Sequence, residues 1–417
     1  MLIGRHNRVQ FMRVAVLGAG LQGACVALEL SVHGVEVDLY EKTDCCLSQT
    51  SSHNEGKIHL GYVYANDRSL RTARTMVRGG IVFQRLLRRW LGQAIDAVPV
   101  SAPFYYVVHR QSLLDVTEID AHLRAVHRIV MEESGEGPLD YFGSDYREPP
   151  QRLSDAECRA LFNERWITAA YRTAEIGIDS EALAALIRAR LAADGNIRCR
   201  FGTSVLAVRM ANGEVMIEFK TGEKKGRARY NHIVNTLWDG RLIIDKTAGI
   251  EPPRPWVYRV KHYLRLQGVN DGSCLPTTTI VLGPFGDIVT YNNNEAFLSW
   301  YPAGMKGLSS ELSPPPWPLT LDYDASLEVR KQTLKALAKI VPAVARLSPE
   351  VIESGRIKGG IIFAWGSTDI HDPVSVLHER YSIGPHSFGR YHSVDTGKLT
   401  MAPCFGKRLV DWILKTE

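Results

Sequence analysis

The segment SSHNEGKIHLG, residues 51–61, concentrates side chains that can take part in chemistry. Its imidazoles can accept or donate a proton near neutral pH, and its lysine can bind an anion. A metal site is a poor interpretation, because His53 and His59 lie six residues apart with no Cys or Asp at ligand spacing. The segment indicates either a loop that faces a bound molecule or a polar loop whose histidines only hydrogen-bond to the backbone.

The stretch GAGLQG, residues 18–23, is a complete G-x-G-x-x-G between a predicted strand at 13–17 and a predicted helix at 21–33. In a dinucleotide-binding fold, Gly18 allows the tight turn and Gly20 lets the backbone approach a pyrophosphate. Gly23 lets the helix pack against the strand. The free N–H groups at the start of the helix, which include Leu21 and Gln22, bind the phosphates. This context predicts a dinucleotide site.

A second predicted strand, residues 35–40, leads to Glu41, 23 residues after Gly18. A carboxylate at this place can accept hydrogen bonds from both hydroxyls of an adenosine ribose. It argues against a 2′-phosphate and hence against NADP. The next residue, Lys42, either reaches the adenosine or a phosphate, or is solvated.

The order of these motifs resembles the D-amino-acid-oxidase-like superfamily of flavoproteins. HNEGKIHLG at 53–61 looks most like the 2-hydroxyglutarate dehydrogenase branch, and SSHNEGKI at 51–58 is similar to sarcosine-oxidase-like sequences. The resemblance implies that FAD is the cofactor and that this segment follows it. It places Ser51 and Ser52 near the pyrophosphate and ribityl chain, Lys57 and Ile58 beside the isoalloxazine, and His59 towards the substrate.

Two later segments extend the resemblance to the middle of the chain. Val205 falls where the family's strand touches the adenine through its backbone. At the end of the predicted strand after 232, the family expects Asn-Ala-x-Gly near the pyrophosphate, whereas this chain reads NTLW at 235–238. The resemblance still places Thr236 and Trp238 there, although the usual glycine is absent.

The segment DTGKLT, residues 395–400, is not a phosphate loop, because it lacks Gly four residues before GK and Ser or Thr directly after the lysine. The resemblance places Gly397, Lys398, Leu399 and Thr400 beside the N1–C2=O edge of the flavin. Backbone N–H groups and a helix N-terminus there favour anionic reduced flavin. Lys398 also matches a lysine that meets the substrate carboxylate in sarcosine-oxidase-like members; the alternative is a solvated side chain.

The predicted fold class is α/β (α+β overall), with a Rossmann-like FAD-binding domain and an antiparallel-sheet substrate domain. Residues 12–90, 171–250 and 355–417 form the discontinuous FAD-binding domain, and 91–170 and 251–354 form the substrate-binding domain. Strand-like runs rich in Tyr, Trp and Thr within 256–302 predict the antiparallel sheet, one face of which covers the flavin. The polar candidates for substrate binding on these strands are Arg259, Lys261, Tyr291 and Tyr301. The alternative for each is an exposed position without a function.

The bulk composition is that of an ordinary globular protein of 417 residues, 45% hydrophobic and 23% charged, with a net charge of +5. Seven cysteines without a CxxC pair favour free thiols in a reducing compartment. The sequence contains no apolar run of about 20 residues, so we expect no membrane span. We expect a cytoplasmic protein with a small-molecule substrate, no nucleic-acid partner, and an extension at residues 1–11.

The favoured function is oxidation of a C–H bond next to the nitrogen of an amino acid or secondary amine, with hydride transfer to flavin N5. The first alternative is a 2-hydroxy-acid dehydrogenase, for which His59 is the candidate base. Lys57 and Lys398 would supply positive charge for a carboxylate or for reduced flavin. A tRNA-modifying flavoprotein and a non-catalytic subunit are further alternatives. The electron acceptor is oxygen or another oxidant that the sequence does not specify.

Overall fold

The computed structural model describes residues 12–135, 140–269, 275–369, 372 and 374–416. The extension expected at 1–11 lies outside the described residues. Across the described ranges, no helix combines the length and apolar character that a membrane crossing requires. The same ranges contain no group of three or more His, Cys, Asp or Glu side chains arranged to hold a metal ion.

A six-stranded sheet contains the two strands predicted around the glycine motif. Its strands are parallel except at one edge, where Gly384–Phe388 runs antiparallel to Tyr391–Asp395. The strand residues next to the motif are fully buried, which explains the unbroken apolar run VAVL. In spatial order the strands are Gly384–Phe388, Tyr391–Asp395, His232–Asn235, Arg13–Leu17, Glu36–Tyr40 and Ile197–Arg200.

A nine-stranded sheet forms the second layer of the molecule. Its pairs are antiparallel, except that Thr278–Ile280 runs parallel to Tyr105–His109. The antiparallel strands predicted within 256–302 are therefore confirmed. In spatial order the path is Met305–Ser309, Trp256–Gln267, Glu295–Trp300, Gly286–Thr290, Thr278–Ile280, Tyr105–His109, Ile167–Arg172 and Gln151–Arg152, and Arg356–Trp365 pairs with Trp256–Gln267 off this path.

The position of Arg356–Trp365 differs from the predicted division of the chain. The sequence placed residues 355–417 in the FAD-binding domain, but this strand pairs along ten residues with Trp256–Gln267 of the nine-stranded sheet. The chain re-enters the six-stranded sheet only at Gly384–Phe388. An apolar strand carries no local signal for which sheet it joins, and the long antiparallel register decides it.

Two small sheets and ten α-helices complete the described residues. Thr203–Ala211, Glu214–Thr221 and Lys224–Tyr230 form an antiparallel meander, and Lys57–Ile58 pairs with Ile176–Gly177. Asp179 caps the helix that follows it by accepting from the N–H groups of Glu181 and Ala182. The helices are Leu21–Val32, Arg71–Leu91, Val116–Ser134, Asp155–Leu161, Ser180–Ala192, Arg241–Thr247, Tyr301–Gly304, Tyr323–Ile340, Pro349–Glu353 and Ala402–Thr416.

Candidate active site

The glycine motif forms a tight turn from the first strand into the first helix. Gly18 has φ +93°, a conformation that side chains with a Cβ rarely adopt. A Cβ on Gly23 would lie 1.9 Å from the carbonyl oxygen of Gly18, so the helix can approach the strand only without one. The helix N-terminus lies at the cavity wall, where the Leu21 N–H donates to Ser51 Oγ at 2.9 Å. This end of the helix favours an anion.

Glu41 lies at the end of the second strand and lines the same cavity. Its Oε2 accepts from the Ala19 N–H at 3.0 Å, and its Oε1 accepts from the N–H and the hydroxyl of Thr43. The glycine turn and the acidic residue therefore form one unit. Lys42 is exposed at the cavity edge, where its ammonium lies 3.4 Å from the carboxylate of Asp239.

One cavity of about 470 Å³ runs from the glycine turn to the nine-stranded sheet. It brings together residues that the sequence separates by more than 380 positions, from Gly18 to Leu399. The predicted residues that line it are Gly18, Gly20, Leu21, Gln22, Glu41, Lys42, Ser51, Lys57, His59, Val205, Thr236, Trp238, Gly397, Lys398 and Leu399.

Four predicted residues are near the cavity but do not line it: Gly23, Ser52, Ile58 and Thr400. Gly23 packs the helix, as the motif predicted. Ser52 donates to the carbonyl of Gln49 at 3.2 Å, and Ile58 is fully buried in core. Thr400 Oγ1 accepts from the His59 N–H at 2.9 Å and donates to the Lys57 carbonyl at 3.1 Å. The hydroxyl of Thr400 therefore joins the C-terminal loop to the polar segment.

Trp238 stands where the resemblance expects glycine, and it adopts φ +56°. Such a conformation is unfavourable for a bulky residue and has to be held by its surroundings. The Trp238 indole N–H donates to the Ile361 carbonyl at 2.8 Å, and its ring packs edge-on against Phe363. These two contacts hold the left-handed backbone of Trp238 in place.

The polar segment enters the cavity as a short strand. Gly56 has φ +64°, and a Cβ there would lie 1.7 Å from the Ile178 carbonyl oxygen, so this backbone is fixed against the neighbouring chain. The side chain of Asn54 accepts from the Gly56 N–H at 2.8 Å. This rigid turn presents Glu55 and Lys57 to the cavity.

Lys57 is a buried cation with a complete set of partners. Its ammonium donates to Thr279 Oγ1 at 2.5 Å and to Asp287 Oδ1 at 3.0 Å, and it lies 4.4 Å from the centre of the Phe104 ring. Burial by itself would lower the pKa of Lys57, but Asp287, Glu175 and Glu55 outweigh it, so the pKa is raised. The ammonium therefore stays charged.

His59 lines the cavity from a buried position, with 3% of its surface exposed. Its Nδ1 lies 3.6 Å from Oε1 of Glu175, which is fully buried and accepts from the Leu60 N–H and from the Tyr106 hydroxyl. Burial lowers the pKa of His59, against the opposing effect of Glu175. A neutral imidazole oriented beside a carboxylate can accept a proton.

Lys398 lies on the C-terminal loop and lines the cavity, and its ammonium has no hydrogen bond or salt bridge to the described residues. Burial lowers its pKa to about 8; Arg380 and Lys57 act in the same direction, while Glu55 opposes them. The loop is tied down on both sides, because the Gly397 N–H donates to Asp395 Oδ1 and the Gly397 carbonyl accepts from Arg380.

Sequence reasoning missed several charged groups of the cavity. Glu55 stood within the polar segment, but its type alone did not separate it from solvated glutamates. Asp287 and Arg380 belong to no motif, so no local signal identified them. Of the polar candidates on the antiparallel strands, Arg259, Lys261 and Tyr301 line the cavity, whereas Tyr291 does not.

The residues present fit an FAD. The helix N-terminus suits a pyrophosphate, Glu41 suits an adenosine ribose, and the cavity continues from them to a buried polar chamber under the nine-stranded sheet. The groups that would hold the cofactor are Gly18, Gly20, Leu21, Glu41 and Ser51 at one end, and the 396–399 loop at the other.

Solved structures with the same fold cover almost the whole chain. Glycine oxidase from Geobacillus kaustophilus matches with a TM-score of 0.68 at 16% identity, over 97% of this chain and 95% of that chain. Iminodiacetate oxidase from Chelativorans sp. BNC1 matches with a TM-score of 0.65 at 14% identity, over 97% of this chain and 95% of that chain. L-alpha-glycerophosphate oxidase from Mycoplasma pneumoniae with FAD bound matches with a TM-score of 0.63 at 16% identity, over 97% of this chain and 94% of that chain.

No curated protein sequence matches the chain. A family model described as DAO, FAD dependent oxidoreductase, matches residues 13–412. This match spans nearly all of the chain and includes both sheets and the cavity between them. The protein therefore belongs to the DAO family and is an FAD-dependent oxidoreductase.

Proposed function

We propose that the protein oxidises a C–H bond next to the nitrogen of an amino acid or secondary amine. The observation that carries the proposal is a pair of charged side chains on the cavity wall, Glu55 and Lys398, neither of which has a hydrogen bond or salt bridge to the described residues. A ligand that fills the cavity displaces the water around such charges, so it has to supply partners for them. An amino acid supplies both, an N–H group for the carboxylate and a carboxylate for the ammonium.

FAD, when bound, supplies the hydride acceptor at N5. Lys398 binds the carboxylate of the substrate, and Glu55 accepts a hydrogen bond from the substrate N–H. Burial by itself would raise the pKa of Glu55, but Lys398, Lys57 and Lys261 outweigh it, so the pKa is lowered and Glu55 stays ionised. Glu55 therefore orients the nitrogen rather than taking its proton, and the amine reacts in its neutral form. Lys57 would keep a fixed positive charge on the wall of the cavity that the flavin enters.

An anaerobic titration of the flavin tests this function. The absorbance of the purified holoprotein would be followed under argon while amino acids, N-methyl amines and 2-hydroxy acids are added in turn. Bleaching of the flavin band by amines alone is the expected result. Bleaching by 2-hydroxy acids alone would overturn amine oxidation, and so would a flavin that no amine reduces.

A 2-hydroxy-acid dehydrogenase is the second candidate, and the geometry of His59 favours it. Oxidation of a hydroxyl requires a base, and His59 is a buried, uncharged imidazole on the cavity wall with Glu175 behind it. Glycine oxidase and iminodiacetate oxidase among the neighbours accord with the amine reaction, and glycerophosphate oxidase accords with a C–H bond beside oxygen.

Substitution of His59 separates the two functions. We expect His59→Ala to keep its flavin and to reduce it with amines at a rate within about tenfold of the parent protein. Any 2-hydroxy-acid reaction should fall by about 100-fold or more, because a positioned base is lost. Stopped-flow flavin reduction measures both, with His127→Ala as a control outside the cavity. An equal collapse with amines would make His59 the base for amine oxidation as well.

The state of Lys398 predicts a pH dependence of substrate binding. Its ammonium is present below its pKa of about 8 and is lost above it. Since the charge binds the substrate carboxylate, KM should rise as pH increases through this value. Lys398→Met should show a raised KM at all pH values, without the further rise near pH 8. The control Lys335→Met, at an exposed lysine, should retain that rise. A rise of KM near pH 8 that persists in Lys398→Met would assign this pH dependence to another group.

A further inference from the structure

One face of the strand Trp256–Gln267 contributes alternate residues to the cavity: Arg259, Lys261 and Tyr263. Side chains two apart on a strand point to the same side, so these three share one wall. Arg259 is committed to this wall, because its Nη1 donates to the Tyr301 hydroxyl at 3.1 Å and lies 3.9 Å from Asp369.

Lys261 differs from its neighbour on the strand. Its backbone pairs with the strands on either side, but its ammonium makes no hydrogen bond and no salt bridge with any residue in the described part of the chain. Its closest described aromatic contact is weak, with its Nζ 5.8 Å from the centre of the Tyr301 ring. Its charge reaches Glu55 and Asp287 through the cavity, since it lowers the pKa of both carboxyls. Lys261 therefore faces the same chamber as Glu55.

The other charges that line the cavity have partners. Three carboxylates are satisfied: Glu41 by the glycine turn, Asp239 by Lys42, and Asp287 by Lys57 and Thr279. Among the cations, Arg380 donates to two backbone carbonyls. Among the described residues, the charged groups of the cavity that keep no hydrogen bond or salt bridge are Glu55, Lys261 and Lys398.

These three groups comprise one carboxylate and two ammonium ions, with a net charge of +1. An amino acid with one carboxylate would pair with Glu55 and Lys398 and leave Lys261 without a partner. A ligand with one amine nitrogen and two carboxylates would satisfy all three. We propose that the substrate is such a dicarboxylic amine, with Lys261 as the specificity-determining residue that binds the second carboxylate. This inference rests on the proposed amine oxidation.

Matched pairs of substrates test the inference. Glutamate and aspartate, as D and L forms, would be compared with glutamine and asparagine, which have the same shape without the second charge. The rate of anaerobic flavin reduction is measured against concentration for the holoenzyme, Lys261→Met and Lys261→Arg. Lys306→Met, an exposed lysine on the neighbouring strand and outside the cavity, is the control.

We expect kcat/KM to favour the acid over its amide by about 10- to 100-fold, the effect of one hydrogen bond between charged groups. Lys261→Met should lose most of this preference, because KM should rise far more for the acid than for the amide, and Lys261→Arg should retain most of it. An amide that reacts as well as its acid would overturn the inference but leave amine oxidation standing. An equal loss of kcat/KM with the acid and the amide in Lys261→Met would have the same consequence. Flavin that no member of these pairs reduces would overturn the dicarboxylic substrate class, and the wider amine panel then decides the proposed function separately.

Discussion

Replacing Gly23 with alanine is expected to abolish FAD binding. The new Cβ would lie 1.9 Å from the Gly18 carbonyl oxygen and 2.8 Å from Thr236 Oγ1, so the first helix must move away from the strand. That displacement shifts the helix N-terminus from the cavity wall and breaks the contact between Leu21 N–H and Ser51. Overpacking of this kind also lowers the free energy of unfolding by about 1–3 kcal/mol.

The measurement is the flavin absorbance per mole of purified protein, together with thermal unfolding of the apoprotein. Gly195→Ala is the matched control, because a Cβ at Gly195 meets nothing within 4 Å. That variant should bind FAD as the parent protein does. Full flavin content in Gly23→Ala would show that the glycine turn does not set the position of the cofactor.

Replacing Lys57 with methionine is expected to lower both stability and activity. The substitution leaves the half-buried carboxylate of Asp287 with Thr279 as its remaining side-chain partner among the described residues. Breaking a buried ion pair by removing one member costs about 3–5 kcal/mol of unfolding free energy. The fixed positive charge in the cavity is lost as well, and we expect kcat to fall by about 100-fold or more.

A double variant separates the two effects. Lys57→Met combined with Asp287→Leu removes both charges, so most of the lost stability should return, while the activity should not. Chemical denaturation and anaerobic flavin reduction measure the two quantities on the same preparations. Normal turnover in the double variant would reduce Lys57 to a purely structural role.

Much of the cofactor end of the site could be predicted from the sequence because its signals are local. The strand predicted at 13–17 is Arg13–Leu17, and the helix predicted at 21–33 is Leu21–Val32. Glu41 follows the second strand, as its spacing from the glycines required. Short connections between strand, turn and helix leave little freedom, so residue order almost fixes their arrangement.

The substrate end could not be predicted in the same way, because its groups come from distant parts of the chain. Lys57 pairs with Asp287, which lies 230 residues away, and Glu55 meets the charge of Lys398 across the cavity. Nothing in the sequence around Asp287 or Lys261 distinguishes these residues from exposed charges on a strand. Only their place on the inner face of the nine-stranded sheet does so.

The sequence by itself determined the dinucleotide cradle, the polar segment and the order of the elements. The tertiary structure decided which charges have partners and which remain open to a ligand, and it assigned Arg356–Trp365 to the nine-stranded sheet. The physical reason is that local periodicity specifies a strand and its buried face, whereas pairing depends on register between segments far apart in the chain. Glu55, Lys261 and Lys398 line one cavity only because the folded chain brings these distant segments together.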